Sequence, residues 1–186
     1  MRCYIMTNPK TAKAILDKIN NKVKSKRFMK KSRINEKDFT RSRKMPFSLL
    51  IYFMLNSIKQ TLQKELTSFM SAFTKHSNIT KSAFCQQRLK LKPEAFIELN
   101  DMLIKEFYTD NVVEKWNGFR LLCIDSSTLE LPKSQEIIDY FGINNKSNQI
   151  PIAKISTLFD LLNEFILDAS IAPNFSSEYD LAIEHL

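Results

Sequence analysis

The sequence predicts an α+β chain, with a helical region over residues 1–116 and the start of a sheet-bearing domain over residues 117–186. Three observations carry that expectation. From Ala12 to Phe107 apolar residues recur at three- and four-residue steps, the spacing of one face of a helix. Beyond Tyr108 the pattern changes to short apolar runs separated by turn residues, the texture of strands. Charge divides the same way: residues 1–60 hold 16 Lys and Arg against 3 Asp and Glu, a balance of +13, whereas residues 61–186 hold 12 against 17, a balance of −5.

Asn8-Pro9 supplies a cap and a first-turn proline, and Ala12, Ile15, Ile19 and Val23 then share one face of a first helix. Lys24 to Lys44 is basic and polar apart from Phe28, Met29, Ile34 and Phe39, and reads as a linker or arm with apolar anchors. Pro46 opens a long helix whose Phe47, Ile51, Leu55, Ile58, Leu62, Leu66, Phe69 and Phe73 form a core stripe rather than a cofactor box. Ser82 caps a short helix, turning Ala83, Phe84 and Leu89 inward and Gln86, Gln87, Arg88 and Lys90 outward. Pro93-Glu94 opens another, with Phe96, Leu99, Leu103 and Phe107 on its buried side. Phe119 to Ile124, after Trp116-Asn117-Gly118, reads as a strand buried on both faces, with Asp125 at its C-terminal end. Ile155–Leu162 and Phe165–Ile171 make a hairpin around Asn163-Glu164, with Asn163 tolerating the left-handed turn and Asp160 and Asp168 at surface or turn-adjacent positions. Ser176 or Ser177 caps a last helix that carries Leu181, Ala182, Ile183 and Leu186.

Composition excludes several functions. Gly118 and Gly142 are the only glycines, whereas dinucleotide and P-loop turns need clustered glycines for backbone N–H groups to approach a pyrophosphate, so no nucleotide cofactor is expected. Cys3, Cys85 and Cys123 lie far apart, and His76 and His185 stand away from them, which suggests neither zinc nor a disulfide framework but a reducing, cytoplasmic setting. The longest apolar run, Leu49 to Leu55, falls far short of the ~20 residues of a membrane helix, and residues 1–13 hold no signal-peptide core.

A strongly basic region ahead of a slightly acidic body points to a polyanion, double-stranded DNA first, because neutralising phosphates releases condensed counterions. Arg41, Arg43 and Lys44 are the expected phosphate contacts. Gln86, Gln87, Arg88 and Lys90 have groove-reading chemistry, since Gln pairs bidentately with adenine and Arg with guanine. The competing readings are a solvated basic face, an ordinary polar helix exterior, and a helical interaction protein that meets an acidic partner.

The sequence of several helices, a strand ending in a carboxylate, a hairpin and a helix resembles the opening of an RNase H-like core. Three segments are similar to insertion-sequence transposases of the DDE class: Asp38-Phe39-Thr40-Arg41-Ser42-Arg43-Lys44-Met45-Pro46-Phe47, then Ser82-Ala83-Phe84-Cys85-Gln86-Gln87-Arg88-Leu89 running on to Phe96, then Asp125-Ser126-Ser127-Thr128-Leu129-Glu130-Leu131-Pro132. The hairpin and Ser177 to Ala182 continue the likeness, which spans most of residues 38–186. It implies DNA cutting and joining by two divalent ions, usually Mg²⁺, with the protein as a homodimer in a synaptic complex. Asp125 matches the first of three metal-binding carboxylates, the catalytic and metal-ligating residue of this chain. The second and third belong on a later strand and helix, so the resemblance implies an N-terminal portion, inert alone unless Glu178 or Glu184 completes the site. The alternative function is a non-catalytic DNA-binding remnant or regulator.

Overall fold

Proline at the first position of a helix forfeits no hydrogen bond and presets φ, and Pro9 opens α1 (Pro9–Lys24), which buries Ile15 and Val23. The computed structural model describes residues 9–41, 44–56, 60–73, 79–110, 113–143 and 149–186. Cys3, Asn8, Arg43, Ile58 and His76 lie outside them. The expected linker contains a helix, α2 (Lys26–Ser32). Ser25 caps it by accepting the Phe28 N–H at 3.2 Å, the long lysine and arginine side chains are good helix formers, and Phe28 is its buried anchor.

The long helix expected after Pro46 is two helices, α3 (Phe47–Leu55) and α4 (Leu62–Phe73). Asn56 leaves helical geometry at φ −80° and ψ 138°, and Glu65 reaches back to accept the Gln60 N–H at 2.9 Å, which defines a new start. α3 buries Phe47, Leu50, Ile51 and Phe53, while α4 contributes Leu66 and Met70. Thr80, not Ser82, caps α5 (Lys81–Arg88) by accepting the Ala83 N–H at 3.2 Å. Phe84 and Gln87, three residues apart, share the face of α5 turned to the core, while Ala83 and Leu89 are exposed rather than inward. α6 (Glu94–Asp110) follows Pro93 as expected and buries Ala95, Leu99 and Phe107. Phe53 sits at the centre of this unit, edge-to-face with Phe69 at 5.3 Å and Phe84 at 4.9 Å.

The helical unit ends at Phe107, and a second unit begins at Tyr108 in the last turn of α6. Asn117 and Gly118 both have positive φ, 48° and 85°, and join Trp116 and Phe119 by reciprocal bonds of 2.8 and 2.9 Å in a tight turn. Three strands follow, β1 (Leu122–Glu130), β2 (Ile152–Asp160) and β3 (Phe165–Pro173), antiparallel in the order β1-β2-β3. β1 starts later than expected and runs through Asp125 to Glu130, because Ser126, Ser127 and Thr128 keep pairing with Ser156, Ile155 and Lys154. As an edge strand it is not buried on both faces: Phe119 before it is 73% exposed, and Leu122 and Leu129 are also exposed.

α7 (Gln135–Phe141) buries no residue and so lacks the apolar face that periodicity detects; Ser134 caps it and Gly142, at φ 82°, ends it. The β2–β3 hairpin forms as expected, except that Glu164, at φ 53°, takes the left-handed position. Asn163 is buried instead, and Asp160, which lies next to the turn, is buried rather than at the surface. Leu167 is the extra residue of a bulge opposite Leu158 and Phe159. Ser177 caps α8 (Glu178–Glu184), which lays Leu181 on the sheet. The chain is therefore mixed helix and sheet, α+β, with its larger buried core in the helical unit.

Candidate functional site

A loop held against the end of α5 creates the most distinctive surface of the helical unit. Ile34 N–H donates to Lys90 O at 2.9 Å and Lys92 N–H to Ser32 O at 2.8 Å, while Arg33 bridges Leu91, so residues 32–34 and 90–92 are laced together. The chain then turns through Asn35, whose N–H meets Asp38 Oδ2 at 2.9 Å, and through Thr40, whose hydroxyl donates to Lys37 O at 2.8 Å. Phe39 adopts φ 57°, a conformation that costs a bulky residue about 1–3 kcal/mol. Its ring packs edge-to-face on Phe47 at 5.3 Å, and that contact offsets the strain. Between this loop and α5 lies a cleft of about 230 Å³, lined by Lys37, Phe39, Arg41, Met45, Gln87 and Lys90 together with Thr40 and Pro46.

The cleft is cationic. Among the described residues no carboxylate pairs with Lys37, Arg41 or Lys90. Other lysines of this unit are engaged: Lys22 and Lys31 reach Glu98 at 2.5 and 2.6 Å, and Lys18 pairs with Glu106. Hydrogen bonds from Lys22 and Lys31 hold the Glu98 carboxyl below its ordinary range. A larger depression of about 680 Å³ mixes Lys31 and Lys92 with Glu94, Glu98 and Asp101, and its excess of carboxylates selects no anion.

Of the expected DNA-binding residues, Arg41, Gln87 and Lys90 meet at the cleft. Lys44, Gln86 and Arg88 are exposed but outside its lining, and Arg43 lies outside the described residues. Gln87 does not face outward. It is 8% exposed, it shares the inner side of α5 with Phe84, and its carboxamide hydrogen-bonds no described residue. Lys37 was not singled out by the sequence; the Asn35-to-Asp38 turn that presents it beside Arg41 was the available signal.

Asp125 does not sit at a strand end. It is the fourth residue of β1, exposed, paired in register with Thr157, and its Oδ1 accepts its neighbour Ser126 N–H at 2.9 Å. The sheet alternation places Asp168, and Glu178 through its bridge to Lys154 at 3.5 Å, on the face opposite Asp125. Neither Glu178 nor Glu184, on the same helix, completes a site with it, and no cluster of three metal-ligating side chains occurs among the described residues. A two-metal centre needs several hard oxygen donors on one side, so the described residues do not fit Mg²⁺.

Under α8, His185 Nδ1 lies 2.7 Å from Asp168 Oδ2 and Nε2 lies 3.1 Å from Ser156 Oγ. The order of groups is that of a nucleophile, a base and its orienting carboxylate. Ser156 is fully buried, so no substrate carbonyl reaches it, and the three side chains instead tie α8 to β2 and β3. A second buried network joins Tyr108, whose hydroxyl donates to Asp160 Oδ2 at 2.7 Å, to Asn163, whose backbone and side-chain N–H groups reach Asp160 Oδ1 at 3.1 and 3.0 Å. Burial alone raises the Asp160 carboxyl, but the hydrogen bonds from Tyr108 and Asn163 outweigh it and hold it below the ordinary 3.8. Burial, with the Asp160 hydrogen bond, pushes the Tyr108 phenol above its usual range.

Cys85 and Cys123 are free thiols, and no described helix is long and apolar enough to cross a membrane. Comparison with protein-family models, with curated proteins and with solved structures finds no match.

Proposed function

We propose that this chain is a DNA-binding portion of a DDE-class transposase, and that its helical unit grips double-stranded DNA through phosphates at Lys37, Arg41 and Lys90. The observation that carries this reading is the cleft itself: three cations without a carboxylate partner among the described residues line it together, in a unit whose Lys18, Lys22 and Lys31 are paired with Glu106 and Glu98. Phosphate recognition needs uncommitted donors, because a lysine that must first leave a carboxylate gains little. The similarity of the segments beginning at Asp38, Ser82 and Asp125 to transposases supports the same reading. The position of Asp125, on the face of the sheet opposite Asp168 and in no group of three metal-ligating side chains among the described residues, favours a second reading, a non-catalytic DNA-binding regulator.

Fluorescence anisotropy of labelled duplexes across a salt series tests DNA binding. Each of Lys37→Gln, Arg41→Gln and Lys90→Gln lowers the log–log salt slope by about 0.9, and Lys22→Gln leaves it unchanged. Unchanged slopes in all three cleft variants would remove this cleft from the contact surface. Nicking of supercoiled DNA with Mg²⁺ or Mn²⁺, abolished by Asp125→Asn, would select the cutting enzyme over the regulator.

A further inference from the structure

We infer that the cleft beside α5 receives one unstacked nucleotide, with its phosphate at Lys37, Arg41 and Lys90 and its base edge on the Gln87 carboxamide. The inference rests on the DNA-binding reading and goes beyond it, since a protein can grip phosphates of a paired duplex without taking a base out of the stack. Four features argue for a nucleotide rather than an anion alone. The cleft, at about 230 Å³, lies below the roughly 300–1,000 Å³ of sites for larger ligands, a size that suits one planar base. Its charge is graded: Lys37 and Arg41 are exposed, whereas Met45 and Gln87 are buried. Phe39, Met45 and Pro46 offer the apolar surface on which a base face rests, and a phosphate has no use for it.

The fourth feature is Gln87. Gln87 lines the cleft on a largely buried side chain, and its carboxamide hydrogen-bonds no described residue, so its donor and acceptor are available to a ligand there. Its donor and acceptor together match the paired donor and acceptor on a base edge, adenine best of all. The same burial removes Gln87 from the major-groove role, because a side chain turned toward the core cannot reach into a groove. The strained φ of Phe39 fits this picture, since the loop is held in a costly shape that keeps one wall of the cleft in place.

The test compares three DNA probes of one sequence: a fully paired duplex, the same duplex with one unpaired adenosine bulge, and one with an abasic site in place of that adenosine. The bulged duplex is expected to bind roughly tenfold tighter than the paired one, and the abasic probe to lose that gain. Gln87→Glu, which keeps the shape but replaces the donor by an acceptor, is expected to abolish the preference for the bulged duplex. Because a substitution at a buried site can unfold the helix, the exposed variant Lys37→Gln provides a second arm, expected to weaken the bulged probe more than the paired one. Paired binding without any bulge preference would overturn the nucleotide cleft and leave the DNA-binding reading standing. If no duplex binds at all, that reading fails, and an NMR titration with deoxyadenosine monophosphate beside inorganic phosphate decides the cleft separately. Shifts at the Gln87 side-chain amide with the nucleotide only support it; equal shifts with both, or none, overturn it.

Discussion

Ser170 carries a buried hydroxyl without a hydrogen-bond partner among the described residues, directly across the ladder from Ser156. Its neighbour spends its own oxygen on His185, so the pair is half satisfied. Removing the orphan leaves nothing else unpaired, and Ser170→Ala is expected to stabilise the protein by about 1 kcal/mol, read as a raised melting temperature. Ser156→Ala acts in the opposite direction, because it strips a partner from a buried imidazole. Asp160 makes a pH-dependent contribution. Its carboxyl is held below 3.8 in the folded chain, so the folded state binds that proton less readily than the unfolded one. The resulting stabilisation is complete above the ordinary aspartate range and drains away as pH falls through it. Thermal melts of Asp160→Asn and the unaltered protein are therefore expected to differ at pH 7 and to converge toward pH 3.

Short helices depend on their first turn, and α5 has only Lys81–Arg88 in which to recover its nucleation cost. Thr80→Ala removes the cap at Ala83 N–H and is expected to cost about 1 kcal/mol, measured by denaturant unfolding, with a matching loss of order around the cleft. That cap also explains what the sequence could and could not disclose. Thr80 and Ser82 are both capping types, which left the start of α5 open by two residues, whereas the inward place of Gln87 follows from its three-residue spacing from Phe84 and was masked by its polar side chain. The starts of α1 and α6 were legible because Pro9 and Pro93 mark them, and the β2–β3 hairpin because two runs rich in apolar residues flank Asn163-Glu164. The break at Asn56 was hidden by a stripe that keeps its period across two helices, and α2 by a run of lysines that reads as linker. Of the cleft, Arg41, Gln87 and Lys90 were legible as chemistry, but their meeting depends on the backbone lacing of Ile34 to Lys90, which no local pattern announces.

At the scale of the molecule the two units hold themselves together differently. The helical unit has a continuous buried cluster around Phe53, Leu50 and Ile51, whereas the sheet unit buries little beyond Ile152, Ala153, Leu158 and Leu181 and leaves Leu122, Leu129 and Ile171 exposed. Within the hairpin Leu158 is buried, while Leu161, in the turn, and Ile166 are exposed. The order β1-β2-β3 also sets a sequence of events in time. β3 meets β2 across a four-residue turn at 161–164, a closure of microseconds in isolated hairpins. β1 must find the same β2 across residues 131–151, a longer loop with α7 inside it, and loop entropy delays that step. Substitutions in β1 such as Ile124→Val are therefore expected to accelerate unfolding while scarcely slowing refolding, in stopped-flow chevrons, whereas Leu158→Ala in β2 slows refolding as well. The strand that bears Asp125 is then the last to join the sheet and the first to leave it, and its residence there is a kinetic quantity as much as a structural one.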